Sequence, residues 1–386
     1  MNVLVLTLSF GSGHVRAAQA VAKEIVAQNP NANVRVVDAL ADAHPLFRVC
    51  YEWPYWLMLR YAPSLWNRLN SARHEQKHQR TAPRWAFRLG CRKVIQEIKT
   101  FRPDVILAVE VAACEISAIA TEMNVSRAPI LCVITDYEAE PIWVKREVSA
   151  FTVADENGRR ELIDWGAPAE KIFVTGIPID ASFSINHNEQ ATRLRYGIID
   201  DLPIVLLMGG GMGPTRMDEV ARALADAKVP LNMIAIAGRD RRAQRRLQKL
   251  RVESPSSLRV LGWTDDVPVL MQAAQLLVTK PGGLTTLEAA SASVPVVLFD
   301  PIPGAEFINA KRMVDAGAAI LTSGASETAR AVLSLLEDQD RSNAMAANAK
   351  SFARPNARRD IAALALELAN SNWIAATETL AARRVA

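Results

Sequence analysis

Residues 278–289 read VTKPGGLTTLEA, and this stretch predicts the fold of the chain around it. An apolar run, LLV (276–278), leads into it, and the helix-forming residues EAA (288–290) close it. We therefore predict a strand that ends at Lys280, a PGG turn, and a helix that begins near Leu284. Units of this kind build parallel α/β sheets, which bind ligands at the carboxyl ends of their strands.

The PGG turn has two interpretations. In the first, Gly282 and Gly283 allow a positive φ and a close approach to a ligand, while the N–H groups of residues 284–286 and the helix dipole favour an anion. The hydroxyls of Thr285 and Thr286 would add donors. In the second, Thr285-x-x-Glu288 is a capping box, and Glu288 only caps its own helix. A capping box needs one small turn, which explains neither PGG nor the two threonines.

A second glycine-rich loop, LMGGGMG (207–213), also follows a predicted strand. A tight turn explains one glycine but hardly four, so we expect backbone amides of this loop to bind a diphosphate. The loop lacks the GxxxxGK[ST] pattern of a P-loop. In the first half of the chain, Arg16 stands where a dinucleotide fingerprint has its third glycine, which argues against a dehydrogenase.

Strands alternate with helices along both halves of the chain, which is typical of parallel sheets covered on both faces. The predicted strands are 3–8, 34–39, 104–109, 129–135, 150–154, 172–176, 203–211, 231–238, 258–263, 276–280 and 294–300. We expect an α/β fold of two Rossmann-like, doubly wound domains that face each other across a cleft. The expected parts are domains at 1–182 and 200–365, a linker at 183–199, and a C-terminal helix at 366–386 packed back on the first domain.

The composition of the 386-residue chain is that of a soluble globular protein, with 50% hydrophobic and 22% charged residues. No apolar run reaches the roughly 18 residues of a membrane-spanning helix, and the start MNVLVLTLSF predicts a strand and not a signal peptide. The four cysteines are widely spaced, without a CxxC pair, which indicates free thiols in a reducing cytoplasm and no metal site.

Residues 46–93 carry ten lysines and arginines against two acids, although the formal net charge of the whole chain is only +4. Trp53, Trp56 and Trp66 lie in the same segment. Basic residues interleaved with tryptophans suggest an anionic partner surface, either a membrane or a nucleic acid. No RRM, KH or helix-turn-helix pattern accompanies them, so we expect no nucleic acid. The alternative is a solvated helical insertion whose tryptophans pack inward.

A series of motifs in fixed order carries a family resemblance. The motifs are FGSGHVRAAQA (10–20), ITDYEAEPIWV (134–144), VADENGRREL (153–162), IFVTGIPIDASF (172–183), MGGGMG (208–213), VTKPGGLTTLEA (278–289), PIPGAEFINA (301–310) and GAAI (317–320). Together they resemble the GT-B glycosyltransferases of the MurG-like group (glycosyltransferase family 28), particularly the monogalactosyldiacylglycerol synthases and bacterial processive diacylglycerol glucosyltransferases. The resemblance spans residues 1 to about 365 and implies the two-domain GT-B fold.

The resemblance implies a UDP-sugar donor bound by the second domain. The diphosphate would contact two glycine-rich turns, namely Gly211, Met212 and Gly213 in one and Gly282, Gly283, Leu284, Thr285 and Thr286 in the other. The remaining implied donor contacts are Glu288 to the ribose hydroxyls, Gly262 and Trp263 to uracil, and Glu306 and Asn309 to the sugar. Arg239 could neutralise the diphosphate, or its run RDRRAQRRLQK (239–249) could simply be a solvated helix face. The family motif PGQE reads PGAE here, which leaves the identity of the sugar open.

The resemblance places the acceptor in the first domain. His14 matches the GxGH motif, beside Gly11 and Gly13. The motif TD(F/Y)xxHxxW keeps Asp136 and Trp143 but has Glu140 in place of its histidine. We expect His14 or Asp136 to be the general base, with Glu140 as the third candidate, because the acceptor hydroxyl must lose a proton. The tryptophans Trp53, Trp56 and Trp66, with Gly11, Gly13 and Trp143, would serve the acceptor or the membrane.

We therefore expect an inverting transferase that moves a hexose from a UDP-sugar to a lipid acceptor such as diacylglycerol or a glycosyl-diacylglycerol. Helix N-termini and Arg239 would stabilise the leaving UDP, and no DxD-type carboxylate pair ends a strand, so no obligatory metal or other cofactor is expected. We expect a cytoplasmic protein, peripheral on the inner face of the cell membrane. The alternatives are a polyprenyl or soluble acceptor, a GT-B UDP-sugar epimerase, and a non-enzymatic binder of nucleotide-sugars or nucleic acid.

Overall fold

The computed structural model describes residues 1–9, 13–61, 83–209, 216–302 and 304–370, without the side chains of residues 55, 56, 59–61 and 305. These residues form two compact units. The first comprises Met1–Asp180 and the described residues from Asn356 onward, and the second comprises Ala181–Pro355.

The first unit is built on a six-stranded sheet with the order β2-β1-β3-β4-β5-β6, in which all neighbouring strands are parallel. Its strands are β1 (Asn2–Thr7), β2 (Asn33–Asp38), β3 (Val105–Ala108), β4 (Ile130–Val133), β5 (Val148–Val153) and β6 (Ile172–Val174). Its helices up to residue 180 are α1 (Gly13–Gln28), α2 (Pro45–Tyr61), α3 (Arg84–Gly90), α4 (Arg92–Phe101), α5 (Val111–Glu122) and α6 (Glu156–Asp164).

The second unit has its own six-stranded parallel sheet, with the order β12-β11-β10-β7-β8-β9. Its strands are β7 (Ile204–Met208), β8 (Asn232–Ile236), β9 (Ser257–Leu261), β10 (Leu276–Thr279), β11 (Val296–Phe299) and β12 (Ala319–Thr322). Its helices are α7 (Glu189–Arg195), α8 (Met217–Asp226), α9 (Arg241–Gln248), α10 (Val267–Ala273), α11 (Gly283–Ser291), α12 (Ala305–Asp315), α13 (Ala325–Glu337) and α14 (Gln339–Phe352).

The central strands are short apolar runs because helices cover both faces of each sheet, so no strand face needs polar residues. Strands β3, β7 and β10 are buried along their whole length. Every strand predicted from the sequence is present, and the prediction of two doubly wound parallel α/β sheets is confirmed. Strand β12 was not predicted as a strand; its four residues AILT follow a glycine turn and are only partly buried.

The predicted linker at 183–199 is wrong as a description of that segment. Helix α7 lies within it, and the side chain of Asn188 caps this helix by accepting from the N–H of Ala191 at 2.9 Å. Its Arg193 reaches the carbonyls of Asp200 and Leu202, so the segment is anchored in the second unit. The polar sequence reflects an exposed helix and not a flexible connection.

The chain returns to the first unit earlier than the sequence predicts. Helix α15 (Ala357–Ala369) packs on α1, although residues up to 365 were assigned to the second domain. Its buried face includes Ile361, Ala362 and Leu368, and Arg358 pairs with Glu24 of α1 at 3.1 Å. The packing of a C-terminal helix on the first domain thus begins at residue 357, while residues 371–386 lie outside the described part.

Helices α2 and α3 occupy the described parts of the basic segment 46–93. Their inner faces pack together through Phe47 and Phe87, whose ring centroids are 5.3 Å apart, and through Tyr51. The N–H of His44 donates to the carbonyl of Gly90 at 2.7 Å, where a side chain would collide with the ring of Phe47. The segment is therefore an ordered part of the first unit at both of its described ends.

Candidate functional site

The strand orders place one topological switch point in each unit. In the second sheet the chain runs outward from β7 and returns at β10, so the loops after these two strands diverge at adjacent strand ends. In the first sheet the same holds for β1 and β3. Open α/β sheets bind ligands outside such strand ends. The glycine loops of the sequence follow β1, β7 and β10, which makes these two edges the candidate sites.

At the second-domain edge, helix α11 begins at Gly283 directly after β10 and the PGG turn. Gly282 is the N-cap residue with φ −66° and makes no side-chain cap, so the predicted positive φ is wrong there. Gly283 is the first helical residue and also lacks a positive φ. The glycines instead keep the approach open, because a Cβ at Gly282 would meet nothing closer than 3.9 Å.

The capping-box interpretation of Thr285 and Glu288 is also wrong. Both residues lie inside α11, after its start at Gly283, so neither can cap the helix in the box geometry. The first-turn N–H groups are available to a ligand by the ordinary geometry of a helix N-terminus. Glu288 is only 3% exposed, one turn further along the helix. The structure thus leaves the ligand interpretation of Glu288 as the prediction to test.

The two threonines of the turn differ in their surroundings. The Thr286 hydroxyl donates to the carbonyls of Gly282 and Gly283 at 3.1 and 3.0 Å and is fully buried. Its predicted role as a hydroxyl donor to a phosphate is therefore wrong, since its proton is used within the helix. Thr285 is half-buried and keeps that prediction.

Asn309 and Glu306 each make a hydrogen bond to a loop beside the site, and their predicted contacts to the sugar stay predictions. Asn309 is buried on α12, and its Nδ2 donates to the carbonyl of Pro281 at 3.1 Å, which fixes the PGG turn. Glu306 Oε2 accepts from the N–H of Ile302 at 2.6 Å. Gly304 has φ 112°, a conformation that favours glycine, and precedes α12. Both hydrogen bonds hold loops at the carboxyl edge of the second sheet in place.

Arg239 and Trp263 form a pair after β8 and β9. The guanidinium lies 4.5 Å from the centroid of the indole ring, and Arg239 is exposed at the loop that precedes α9. Gly262, next to Trp263, faces Gln244 of α9. The basic run is therefore split: Arg239 belongs to the strand-end loops, whereas Arg241, Arg242 and Arg245 lie on the exposed face of α9.

At the first-domain edge, three polar groups converge on the ends of β1, β3 and β4. His14 is the second residue of α1, and its Nδ1 lies 2.7 Å from Oγ1 of Thr135, which follows β4. Asp136 is the next residue and is half-buried. Glu110 follows β3 and caps α5 by accepting from the N–H of Ala112 at 2.6 Å. His14 and Asp136 are thus near each other, as the sequence predicts.

Glu110 is the site residue that the sequence reading did not assign. Burial raises the pKa of Glu110 above its ordinary value, and the neighbouring charge of Asp136 adds to this, while His14 and the two backbone N–H donors oppose it. Residue Glu110 is 7% exposed. Nothing in the local sequence places Glu110 beside His14, because the two residues meet only through the pairing of β3 with β1.

The remaining first-domain predictions have different outcomes. Trp143 is buried in the core of the first unit, so it does not face a membrane. Glu140 is half-buried and directly precedes the turn Pro141–Trp143. Gly13 begins α1 and Trp53 is exposed on α2. Several predicted residues lie outside the described residues: Gly11, Trp66, Gly211, Met212, Gly213 and the side chain of Trp56.

Two family models match this chain, one in each unit. Residues 14–179 match the model described as Monogalactosyldiacylglycerol (MGDG) synthase. Residues 192–352 match the model described as Glycosyl transferases group 1. With the two parallel sheets, they define the class: the chain has the GT-B fold with glycosyltransferase domains in both halves. Within that class, the predicted resemblance to MGDG synthases and diacylglycerol glucosyltransferases is confirmed.

Individual relatives support the same class. The processive diacylglycerol beta-glucosyltransferase of Bacillus cereus (strain AH187) is 28% identical over 92% of this chain and 90% of its own length. Acinetobacter baumannii MurG has 17% identity and a TM-score of 0.60, over 95% of this chain and 99% of its own. Anabaena Alr3699/HepE in complex with UDP-glucose has 18% identity and a TM-score of 0.58, over 96% of this chain and 99% of its own. UDP-GlcNAc 2-epimerase of Neisseria meningitidis shares the fold, with 15% identity and a TM-score of 0.61, over 95% of this chain and 100% of its own.

We predict that Glu110→Gln changes the pH dependence of stability. Because the folded pKa of Glu110 is raised, the folded state holds this proton more tightly. The stability linked to this proton is present below the unfolded pKa, about 4.3, and is lost as the pH rises through the folded pKa. The variant has no such loss. Its urea midpoint should therefore gain on that of the wild type as the pH rises above about 4.3.

Glu115→Gln is the matched control, with the opposite sign. Burial favours a raised pKa of Glu115, but ion pairs with Lys145 at 2.6 Å and Arg84 at 2.7 Å outweigh it and lower the pKa. The stability from this carboxylate is present above the unfolded pKa and is lost as the pH falls through the folded pKa. The wild type should therefore lose its advantage over Glu115→Gln on acidification. A Glu110→Gln difference that is constant with pH contradicts the assignment.

Proposed function

We propose that this protein is a UDP-sugar-dependent hexosyltransferase that glycosylates a diacylglycerol-type lipid with inversion at the anomeric carbon. The observation that carries the proposal is the match of the first domain to the MGDG synthase model. The second-domain fold is shared with epimerases and with glycosyltransferases of other acceptors, so it supports a UDP-sugar without selecting the acceptor. The chain-long similarity to diacylglycerol glucosyltransferases points the same way.

In the proposed donor complex, the diphosphate lies at the N-terminus of α11. The N–H groups of Gly283, Leu284 and Thr285, with the Thr285 hydroxyl, stabilise the charge that develops on the leaving UDP. The Glu288 carboxylate accepts hydrogen bonds from the ribose hydroxyls. The Trp263 ring and the backbone at Gly262 face uracil, and Arg239 is held over the ring, where its charge faces the diphosphate.

In the proposed acceptor complex, His14 takes the proton from the attacking hydroxyl. When Nδ1 of His14 donates to Thr135 Oγ1 at 2.7 Å, Nε2 carries the lone pair that a general base needs. Asp136 is the alternative base. A protonated Glu110 avoids a second negative charge beside Asp136, and burial favours this protonated form. The hydroxyl then attacks the anomeric carbon as UDP leaves, which inverts that centre in one displacement.

A donor and acceptor screen with product mass tests this function. The purified chain would be incubated with UDP-glucose, UDP-galactose, UDP-GlcNAc or UDP-glucuronate and vesicles that contain diacylglycerol. The proposal predicts a glycosyl-diacylglycerol product, or a series with added hexoses, and UDP release that depends on diacylglycerol. The epimerase alternative predicts consumption of the donor in water without lipid. A polyprenyl or soluble acceptor would replace diacylglycerol in the same assay.

We propose that α2 and α3 bind the first domain to the anionic inner face of the cell membrane. The outer face of α2 exposes Leu46, Val49, Trp53 and Leu57, which follow one stripe of the helix. Trp85 and Leu89 of α3 are exposed one turn apart. We call these six residues the apolar stripe. The same segment of the sequence, 46–93, carries ten lysines and arginines against two acids. None of the helices within the described residues is long and apolar enough to cross a membrane.

We predict that Trp53→Ser with Trp85→Ser weakens vesicle binding about 100-fold. Each tryptophan is about two-thirds exposed, 66% and 65%, and would enter the interface. Burial of a large apolar side chain contributes roughly 1.5 kcal/mol at the low end, or about tenfold for each residue. Basic residues add about 1 kcal/mol each at an anionic surface. Sedimentation with phosphatidylglycerol-containing and pure phosphatidylcholine vesicles, at low and high salt, measures both contributions.

Leu194→Ser is the control, because Leu194 is equally exposed but lies on α7 of the second unit. It should bind vesicles as the wild type does. The membrane proposal is contradicted by wild-type protein that ignores anionic vesicles, or by a double variant that binds them unchanged.

A further inference from the structure

Lys280 has a buried ammonium group without a hydrogen-bond partner among the described residues. The residue is 4% exposed and directly follows β10. Its Nζ is inaccessible to solvent and donates to no protein acceptor within that part of the chain. A buried charge without a partner costs several kcal/mol, so proteins pair such groups with an opposite charge. The buried ammonium of Lys280 therefore indicates a position where an anion can bind.

The position of Lys280 limits what the anion can be. Thr279 pairs with Met208 of β7 and with Leu298 of β11, so Lys280 follows at the carboxyl edge, beside the ends of both strands. This edge is the switch point of the second sheet. Asp300, the acid just past β11, already binds Arg216 at 2.9 Å. Asp300, at the end of the neighbouring strand, is thus already paired with Arg216.

A second feature of the same turn also favours an anion. Lys280 is separated from α11 only by Pro281 and Gly282, and the helix N-terminus carries partial positive charge and N–H donors. The buried Asn309 holds the carbonyl of Pro281 at 3.1 Å, so the turn between the lysine and the helix is fixed. Two sources of positive potential, one a full charge, are therefore held together in one short turn.

We infer that the Lys280 ammonium is the ion-pair partner of the donor diphosphate. This inference rests on the proposed function, because it assigns one more residue to the UDP-sugar site. The ammonium would neutralise the charge that grows on the departing UDP, in a buried place where screening by water is weak. Lys280 is thus a donor-binding residue in this proposal.

Lys280→Met tests the inference by calorimetric titration with UDP, UMP and uridine. Methionine keeps an unbranched apolar side chain that is one atom shorter, and it removes the charge. We expect the Kd for UDP to rise about 100-fold and the Kd for uridine to stay within twofold. The Tm of the ligand-free variant should equal or exceed that of the wild type, because an unpaired buried charge is removed. Lys350→Met, exposed on α14, is the control and should change none of these values.

Three outcomes overturn the inference. Equal affinity of wild type and Lys280→Met for UDP overturns it and leaves the proposed function intact, since the wild type binds the nucleotide. A loss that is the same for UDP and uridine, with a lower Tm, identifies a structural role. A wild-type protein that binds neither UDP nor uridine overturns the inference and the proposed function together.

Discussion

Replacing Glu288 by glutamine should raise the KM for the UDP-sugar about 100-fold and leave the fold intact. In the proposed complex the carboxylate accepts hydrogen bonds from two ribose hydroxyls, and hydrogen bonds to a charged group contribute about 1.5–3 kcal/mol each. A loss of about 3 kcal/mol corresponds to roughly 100-fold in affinity. Glu288 is buried inside α11, so its position is fixed before the donor binds. Steady-state kinetics with varied UDP-sugar measures the effect.

The ribose itself supplies the control for Glu288. Wild-type protein should bind UDP more tightly than 2′-deoxy-UDP, and Glu288→Gln should lose most of this discrimination. A variant that keeps the discrimination but has a lower Tm would show that Glu288 only stabilises its helix. Thr286→Val separates the two effects further, because its hydroxyl bonds only within the helix and its loss should lower Tm without changing the discrimination.

Replacing His14 by alanine should lower kcat about 1000-fold while the Kd for UDP changes little. A general base typically contributes about 10²–10⁴ in rate, and the donor lies in the other domain in the proposed complex. An equal fall in kcat and kcat/KM would identify an interaction made in the transition state. Asp136→Asn should reduce kcat by a comparable factor if the aspartate is the base, so the pair of variants identifies which group takes the proton.

Thr135→Val and His187→Ala are the controls for His14. Thr135→Val removes the 2.7 Å contact to Nδ1 and should cost less than loss of the imidazole, because the base remains but is less well oriented. His187 lies in the second unit, where its ring contacts the carbonyl of Ser182, and its replacement should leave kcat unchanged. Unchanged kcat in both His14→Ala and Asp136→Asn would contradict the acceptor site and favour Glu140.

The strand–turn–helix units could be predicted from the sequence because their signals are local. Buried strands such as β7 and β10 are continuous apolar runs, and the glycines after them mark the turns. The hydrophobic periodicity of a helix locates its first residue only to within a few residues. Thr285 could form a capping box only if it were the N-cap residue of the helix. The structure excludes this, because α11 begins at Gly283.

The supporting contacts of the site could not be predicted, because they join residues far apart in the chain. Asn309 looked like a sugar ligand from its motif, and its bond to Pro281 depends on how α12 packs beside the turn. Glu110 lies near His14 only because β3 is the neighbour of β1 in the sheet. The sequence predicts Lys280 only as the last residue of a strand. Its ammonium is buried because strands lie on both sides of β10, which the local sequence does not show.

The most direct test of the account is the stoichiometry and anomeric form of the lipid product. Radiolabelled UDP-α-hexose, chosen from the donor screen, would be supplied with diacylglycerol vesicles, and released UDP and chloroform-soluble label would be counted together. The account predicts one lipid-borne hexose for each UDP, with the linkage inverted to β. Donor consumption that yields UDP and free sugar, or an epimerised UDP-sugar, at the same rate without lipid would contradict it.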